Sequence, residues 1–227
     1  MPASKILWSP RIGFRWNLNE DHTTLLRGGA GIFTGRVPFV WLSNSISKAG
    51  IELSETFLSS KESFDAARAD GFKFNADPSK QYYNRNAAVP TAEINVADKN
   101  FKFPSVARVN LALEHTFPFG VKATLEGIYS KTLNNILYEN ANYQWTGKTL
   151  NNGGDNRPVY EKQDKNFTQI MYLKNTSEGY TYNLSAKLEK NFDFGLSTMI
   201  AYTYGQAKSL TDGNSSQAYS GWKYNPT

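Results

Sequence analysis

The chain has 227 residues, a net charge of +5, 14% aromatic residues and a mean hydropathy of −0.53. No run approaches the roughly 18 apolar residues of a spanning helix, which excludes a helical membrane protein but not a barrel, whose alternating strands average out as polar. The absence of cysteine removes disulfides, thiol nucleophiles and thiolate metal sites, and the well-mixed charges contain no basic block of the kind that binds nucleic acid.

The opening MPASKILWSPRIGF lacks the apolar core and cleavage site of a signal peptide, and the closing SGWKYNPT ends without a closing element, so both ends read as cut from something longer. In PRIGFRWNL, Ile12, Phe14, Trp16 and Leu18 alternate with Arg11, Gly13, Arg15 and Asn17. After a turn at Asn19–His22, Leu26, Gly28, Ala30 and Ile32 alternate with Leu25, Arg27, Gly29 and Gly31. Period two over such lengths predicts two strands, near 9–18 and 23–35, joined as a hairpin. Pro38 is expected to end the second strand, with Trp41 just beyond it at the rim.

Residues 36–102 read as a long polar connection carrying Trp41, Phe57, Phe64, Phe72, Phe74, Tyr82 and Tyr83. Within it, LSSKESFDAARADGF (Leu58–Phe72) predicts a short helix capped at or near Ser63 and stopped by Gly71. Aromatics on a long loop either contact a ligand or pack the loop on itself.

Two more hairpins follow, and each turns on the same motif. Leu-Glu-x-x-Phe-x-Phe-Gly occurs at Leu113–Gly120 and again at Leu188–Gly195. The strands are predicted near 103–117 and 121–131, then near 179–192 and 196–207. One face collects Val109, Leu111, Leu113, Leu125, Tyr129, Leu184, Leu188, Ile200, Tyr202 and Tyr204, with His115 its one polar member in the first copy; the other collects Arg108, Glu114, Lys122, Glu126, Lys187 and Glu189. Between these hairpins, 132–178 reads as a second long loop, and NNGGDNRP (Asn151–Pro158) as a turn, because it lacks the alternating carboxylates of a calcium loop. The Asn-x-Ser/Thr matches at Asn166, Asn175, Asn183 and Asn214 read as chance in an Asn-rich chain.

Six strands of this length, three short turns and two long connections predict an all-β, antiparallel, up-and-down transmembrane barrel segment, with short periplasmic turns and long extracellular loops. The repeated motif is explained if each copy lies where a strand meets the membrane boundary. Phe117, Phe119, Phe192 and Phe194 then sit in an aromatic girdle, and Gly120 and Gly195 close the turns. The competing fold is a soluble β-sandwich, in which the face carrying Leu111, Leu113, Leu184 and Leu188 would pack against a second layer.

The stretch GGAGIFTGRVPFVWLSN (Gly28–Asn44), after the upstream SPRIGF (Ser9–Phe14), resembles the barrel of TonB-dependent outer-membrane receptors, in particular the Oar-like group of Bacteroidota. The match covers residues 8–44; the rest agrees only in pattern. The resemblance implies a bacterial outer-membrane barrel of about 22 strands, filled by a plug domain and opened by a TonB-type energy-coupling protein for uptake of a solute ligand. The whole chain, 1–227, is then one partial barrel domain with no plug of its own, because six strands leave two unpaired edges and cannot enclose a plugged lumen.

Arg27, Gly29, Gly31, Arg36, Trp41, Tyr82 and Tyr83 are the candidate ligand or plug contacts. Glycines of lumen parity would leave room for a plug, or alternatively mark a bend or bulge at the rim. The charges of the polar face either line the solute path or pair with one another across strands. Outer-membrane lipid is the expected surrounding. No catalytic residue, metal site or cofactor is expected, since His22 and His115 both lie near short turns without a partner constellation. The alternatives to energy-coupled uptake are a passive porin-like or structural barrel, and a soluble β-sandwich binding module.

Overall fold

The computed structural model describes residues 6–48, 60–80, 92–151, 154–211, 213 and 215–223. In chain order it contains β1 (Arg11–Asn17), β2 (Thr24–Thr34), α1 (Phe39–Ser47), α2 (Lys61–Ala69), a 3-10 turn (Pro78–Lys80) and β3 (Ala92–Ala97). There follow β4 (Ser105–Thr116), β5 (Val121–Asn140), β6 (Tyr143–Asn151), β7 (Asp155–Lys162), β8 (Phe167–Thr176), β9 (Tyr180–Asn191), β10 (Ser197–Lys208) and α3 (Ala218–Lys223). The chain forms two compact units. One comprises Met1–Leu42, Ala97–Glu139 and Tyr172–Thr227; the other comprises Ser43–Val96 and Asn140–Met171.

The first unit is built on an antiparallel sheet in the order β1-β2-β4-β5-β9-β10. β5 and β8 also pair, and β8 pairs with β3. The sheet is not closed: among the described residues β1 has β2 as its one partner and β10 has β9. Three hairpins joined by tight turns set the register. In the two motif copies the amide of Gly120 donates to the carbonyl of Phe117 at 2.9 Å, and that of Gly195 to Phe192 at 3.0 Å. Both glycines have positive φ, +79° and +93°, which a residue without Cβ adopts without strain. The first turn solves the same problem with Asn19, whose Oδ1 accepts the Thr24 amide at 2.8 Å, and with His22 at φ 58°.

Register makes the two faces explicit. Reading across the sheet, one row runs Phe14, Gly28, Leu111, Gly127, Leu184, Tyr204, and the next Trp16, Leu26, Leu113, Leu125, Ala186, Tyr202. These rows are apolar, and they are uncovered: Leu111 is 52% exposed, Leu125 59% and Leu184 59%, as is Ile200 (75%) in the next row of the same face. A second layer over Leu111, Leu113, Leu184 and Leu188, as a β-sandwich requires, is absent among the described residues. Ala112 and Thr124, buried residues of these strands, are on the other face. A continuous apolar face of this kind is not stable in water.

The connection 132–178 is not the long loop expected from the sequence. β5 runs on to Asn140, and β6, β7 and β8 follow. In this part of β5, Ile136, Leu137 and Tyr138 are buried in succession, so both faces are covered and no alternation marks the strand. The connection 36–102 likewise carries two helices and β3. Its helix α2 is capped by Ser60, near the expected Ser63; the Ser60 side chain accepts the Ser63 amide, and the Ser63 Oγ accepts the Ser60 amide in return, a reciprocal capping box. Gly71 stands just past its end at φ +97°. β2 ends at Thr34, and Pro38 instead precedes α1, its carbonyl accepting the Trp41 amide at 3.0 Å.

The second unit contains the β6–β7 hairpin, in which Asn151 pairs with Asp155; Asp155–Pro158 of NNGGDNRP thus belongs to strand β7 rather than to a turn. Asn142, 1% exposed, staples the hairpin: its Nδ2 donates to the carbonyls of Asp164 and Phe167, and its Oδ1 accepts the Asp164 amide.

Candidate functional site on the polar face of the sheet

Opposite the apolar rows, the same six strands present a polar face. One row runs Asn17, Leu25, Glu114, Thr124, Lys187, Ala201, and the next Arg15, Arg27, Ala112, Glu126, Ser185, Thr203. Arg27 bridges two acids, its Nε 2.8 Å from Glu114 Oε1 and its Nη1 3.3 Å from Glu126 Oε1. The second oxygen of Glu114 takes Lys122 Nζ at 2.6 Å. Lys187 and Glu189 pair along β9 at 2.8 Å. These charges are satisfied within the wall itself, so cross-strand pairing is what the structure displays at this end of the sheet. Each such pair contributes about 0.2–1 kcal/mol.

Farther from the short turns the wall changes character. The row Gly13, Gly29, Asn110, Ile128, Asn183, Gly205 carries three glycines. Asn110 Oδ1 lies 3.2 Å from where a Cβ on Gly29 would stand, and Asn183 Oδ1 occupies that position over Gly205. The asparagine side chains therefore occupy the space over Gly29 and Gly205. Pairing of β2 with β1 and with β4 runs unbroken through Gly28–Gly31, so these glycines mark no bulge. Gly28 belongs to the apolar face, where the Phe14 ring covers it.

The remaining candidates disperse. Arg36 is exposed between β2 and α1. Trp41 is half-buried: its indole N–H donates to the Ser215 carbonyl at 2.8 Å and its ring meets Tyr138 edge-on at 6.0 Å. No local pattern could reveal that contact, which spans 174 residues. Tyr82 and Tyr83 lie outside the described residues, as does Phe57. Phe64 and Phe72 pack on each other at 5.6 Å, whereas Phe74 is 91% exposed. At the turns, Phe117 stacks on Phe119 at 5.2 Å and Phe192 lies 5.3 Å from Phe194. His115 hydrogen-bonds Thr24 Oγ1 through Nδ1 at 2.8 Å and meets the Phe117 ring. Among the described residues no cluster of His, Asp or Glu could hold a metal ion.

An uncovered apolar face, a charged opposite face and long antiparallel strands are the two sides of a barrel wall. The model of the family described as "Outer membrane beta barrel domain" matches residues 1–227. The chain belongs to this outer-membrane β-barrel family. No curated protein matches it. The domain accordingly resides in the outer membrane, and its apolar rows are the lipid-contacting surface.

Proposed function

We propose that this domain is a stretch of the wall of a TonB-dependent-receptor-like barrel, which takes up a solute in a ligand-gated, energy-coupled way. The supporting observation is the set of three glycines on the polar face, Gly13, Gly29 and Gly205, which carry no side chain of their own toward a plug. The resemblance of SPRIGF and GGAGIFTGRVPFVWLSN to the Oar-like receptors of Bacteroidota adds to it. In this reading the short turns face the periplasm, the long connections face outward, and the remaining wall, the plug and the energy-coupling protein come from beyond these strands. Arg27, Gly29 and Gly31 are the proposed plug- or solute-facing positions, and Arg36, Trp41, Tyr82 and Tyr83 belong to the outward connections. The wall has no catalytic role.

One observation favours a passive pore instead. Arg27, Glu114, Lys122 and Glu126 neutralise one another without any group from a plug. Planar-bilayer recording on the protein as its gene encodes it separates the two readings. A plugged receptor is silent at rest and conducts after urea unfolds the plug, whereas steady conductance at rest would establish the passive pore.

A further inference from the structure

The charge balance of the polar face is not uniform along the strands. Next to the glycine row, at the end away from the short turns, runs Arg11, Gly31, Arg108, Ser130, Thr181, Ala207. It carries two arginines and no acid. The guanidinium of Arg11 lies 4.5 Å from the centroid of the Phe33 ring, and that of Arg108 lies 5.6 Å from it. Phe33 has the parity of Gly31 on β2, so both cations converge on one aromatic ring of the polar face.

Gly31 makes this convergence possible. A Cβ there would stand 3.0 Å from Arg11 Cγ and 3.3 Å from Phe33 Cε2, so a side chain at this position would press on both the Arg11 stem and the ring. Arg108 is steadied separately, its Nε donating to Ser130 Oγ at 2.9 Å. That bond orients the guanidinium and leaves its terminal N–H groups available. Among the described residues neither arginine enters an ion pair, in contrast to Arg27 on the same face.

Two like charges gathered on one ring repel, and a cation–π contact offsets only part of that cost. An anion bound beside these guanidiniums reverses the sign of the balance. Two planar forks with several free donors match the oxygens of a carboxylate or phosphoryl group. A depression of about 620 Å³, lined by Arg108 and Lys208 together with Ser130, Thr132, Thr181 and Ser209, adjoins the Arg108 side of the ring and supplies hydroxyl groups and a further cation. We infer that Arg11 and Arg108, brought together over Phe33 by Gly31, form a binding site for the carboxylate or phosphoryl group of an anionic solute on the polar face.

The site rests on the polar face being a solute path, as both the receptor and the pore reading have it. Its test measures binding rather than transport, so loss of energy coupling leaves it standing. Inorganic phosphate and citrate are titrated calorimetrically into the detergent-solubilised protein at low ionic strength. Wild type is expected to bind at least one of them saturably, and Arg11→Gln/Arg108→Gln to bind it at least about tenfold more weakly. Gly31→Ala, which keeps the charge and displaces Arg11, is expected to weaken binding several-fold. Lys131→Gln removes one charge at the neighbouring row on the apolar face and should leave binding unchanged. Heat-modifiable mobility on a gel verifies folding, and should the double variant fail it, Gly31→Ala and Arg108→Lys carry the test. Absence of saturable binding by wild type overturns the inference, as does an equal loss in Lys131→Gln. Absence of binding by wild type together with a lower melting temperature for the double variant would assign the arginines to an internal carboxylate, and the solute site would fall.

Discussion

The two faces of the same six strands solve opposite problems. On the apolar face, Leu111, Leu125, Leu184 and Ile200 stand in the open without polar partners, and lipid is the solvent that makes this favourable. On the polar face, Arg27, Glu114, Lys122 and Glu126 neutralise one another across β2, β4 and β5. Lipid-facing positions are therefore constrained by solvent and barely by neighbours, and lumen-facing positions the reverse. The strand backbone, through its period of two, is the only thing that keeps the two sets apart.

The largest effect expected from this difference follows a charge on the wrong face. Leu125→Arg should destabilise the membrane-inserted protein by about 2–4 kcal/mol if it lies near the mid-plane, whereas Ser185→Arg, one row away on the polar face, should change stability by less than about 1 kcal/mol. Urea titrations in lipid vesicles would measure both, and equal losses would break the comparison.

A smaller effect is expected where register is fixed. No atom lies within 4 Å of a Cβ built on Gly120 or Gly195, so alanine there meets no clash and the positive φ alone resists it. Each substitution should cost about 1–2 kcal/mol, seen as a lower unfolding midpoint in the same titration. Within the ladder, Glu114→Gln should cost about 1 kcal/mol. Glu126→Gln should cost less, because Arg27 keeps its shorter contact to Glu114. A double-mutant cycle with Arg27→Gln measures the coupling, and a value near zero would mean that the wall charges are independent.

The smallest effect lies in the first turn. The Thr23 backbone amide, and then its hydroxyl, hold the Asp21 carboxyl below its ordinary value of 3.8. A carboxylate lowered by folding stabilises above its unfolded value and loses that contribution as pH falls through its folded one. Acid below about pH 4 should therefore loosen this turn in wild type, and Asp21→Asn should flatten that part of the pH profile of amide exchange at Thr23.

The six principal strands were legible because lipid on one side and water on the other write a period of two into the residues. Phe117–Gly120 and Phe192–Gly195 were legible for a local reason, as one turn chemistry used twice. The end of β5 at Ile136–Tyr138 was not, since protein covers both its faces and the alternation disappears. Trp41 against Ser215 and the two arginines over Phe33 depend on which strands become neighbours, and a period of two carries no information about that.

The most direct measurement of the central claim takes single cysteines at Leu111 and Leu184, in one apolar row, and at Asn110 and Asn183, in one polar row, in the protein in its native outer membrane. Each is labelled with a lipid-confined and a water-soluble thiol reagent. The two leucine positions are expected to react only with the lipid-confined reagent and the two asparagine positions only with the water-soluble one. Leucine positions silent to both reagents would contradict that expectation, because they would then lie in a protein core rather than against lipid.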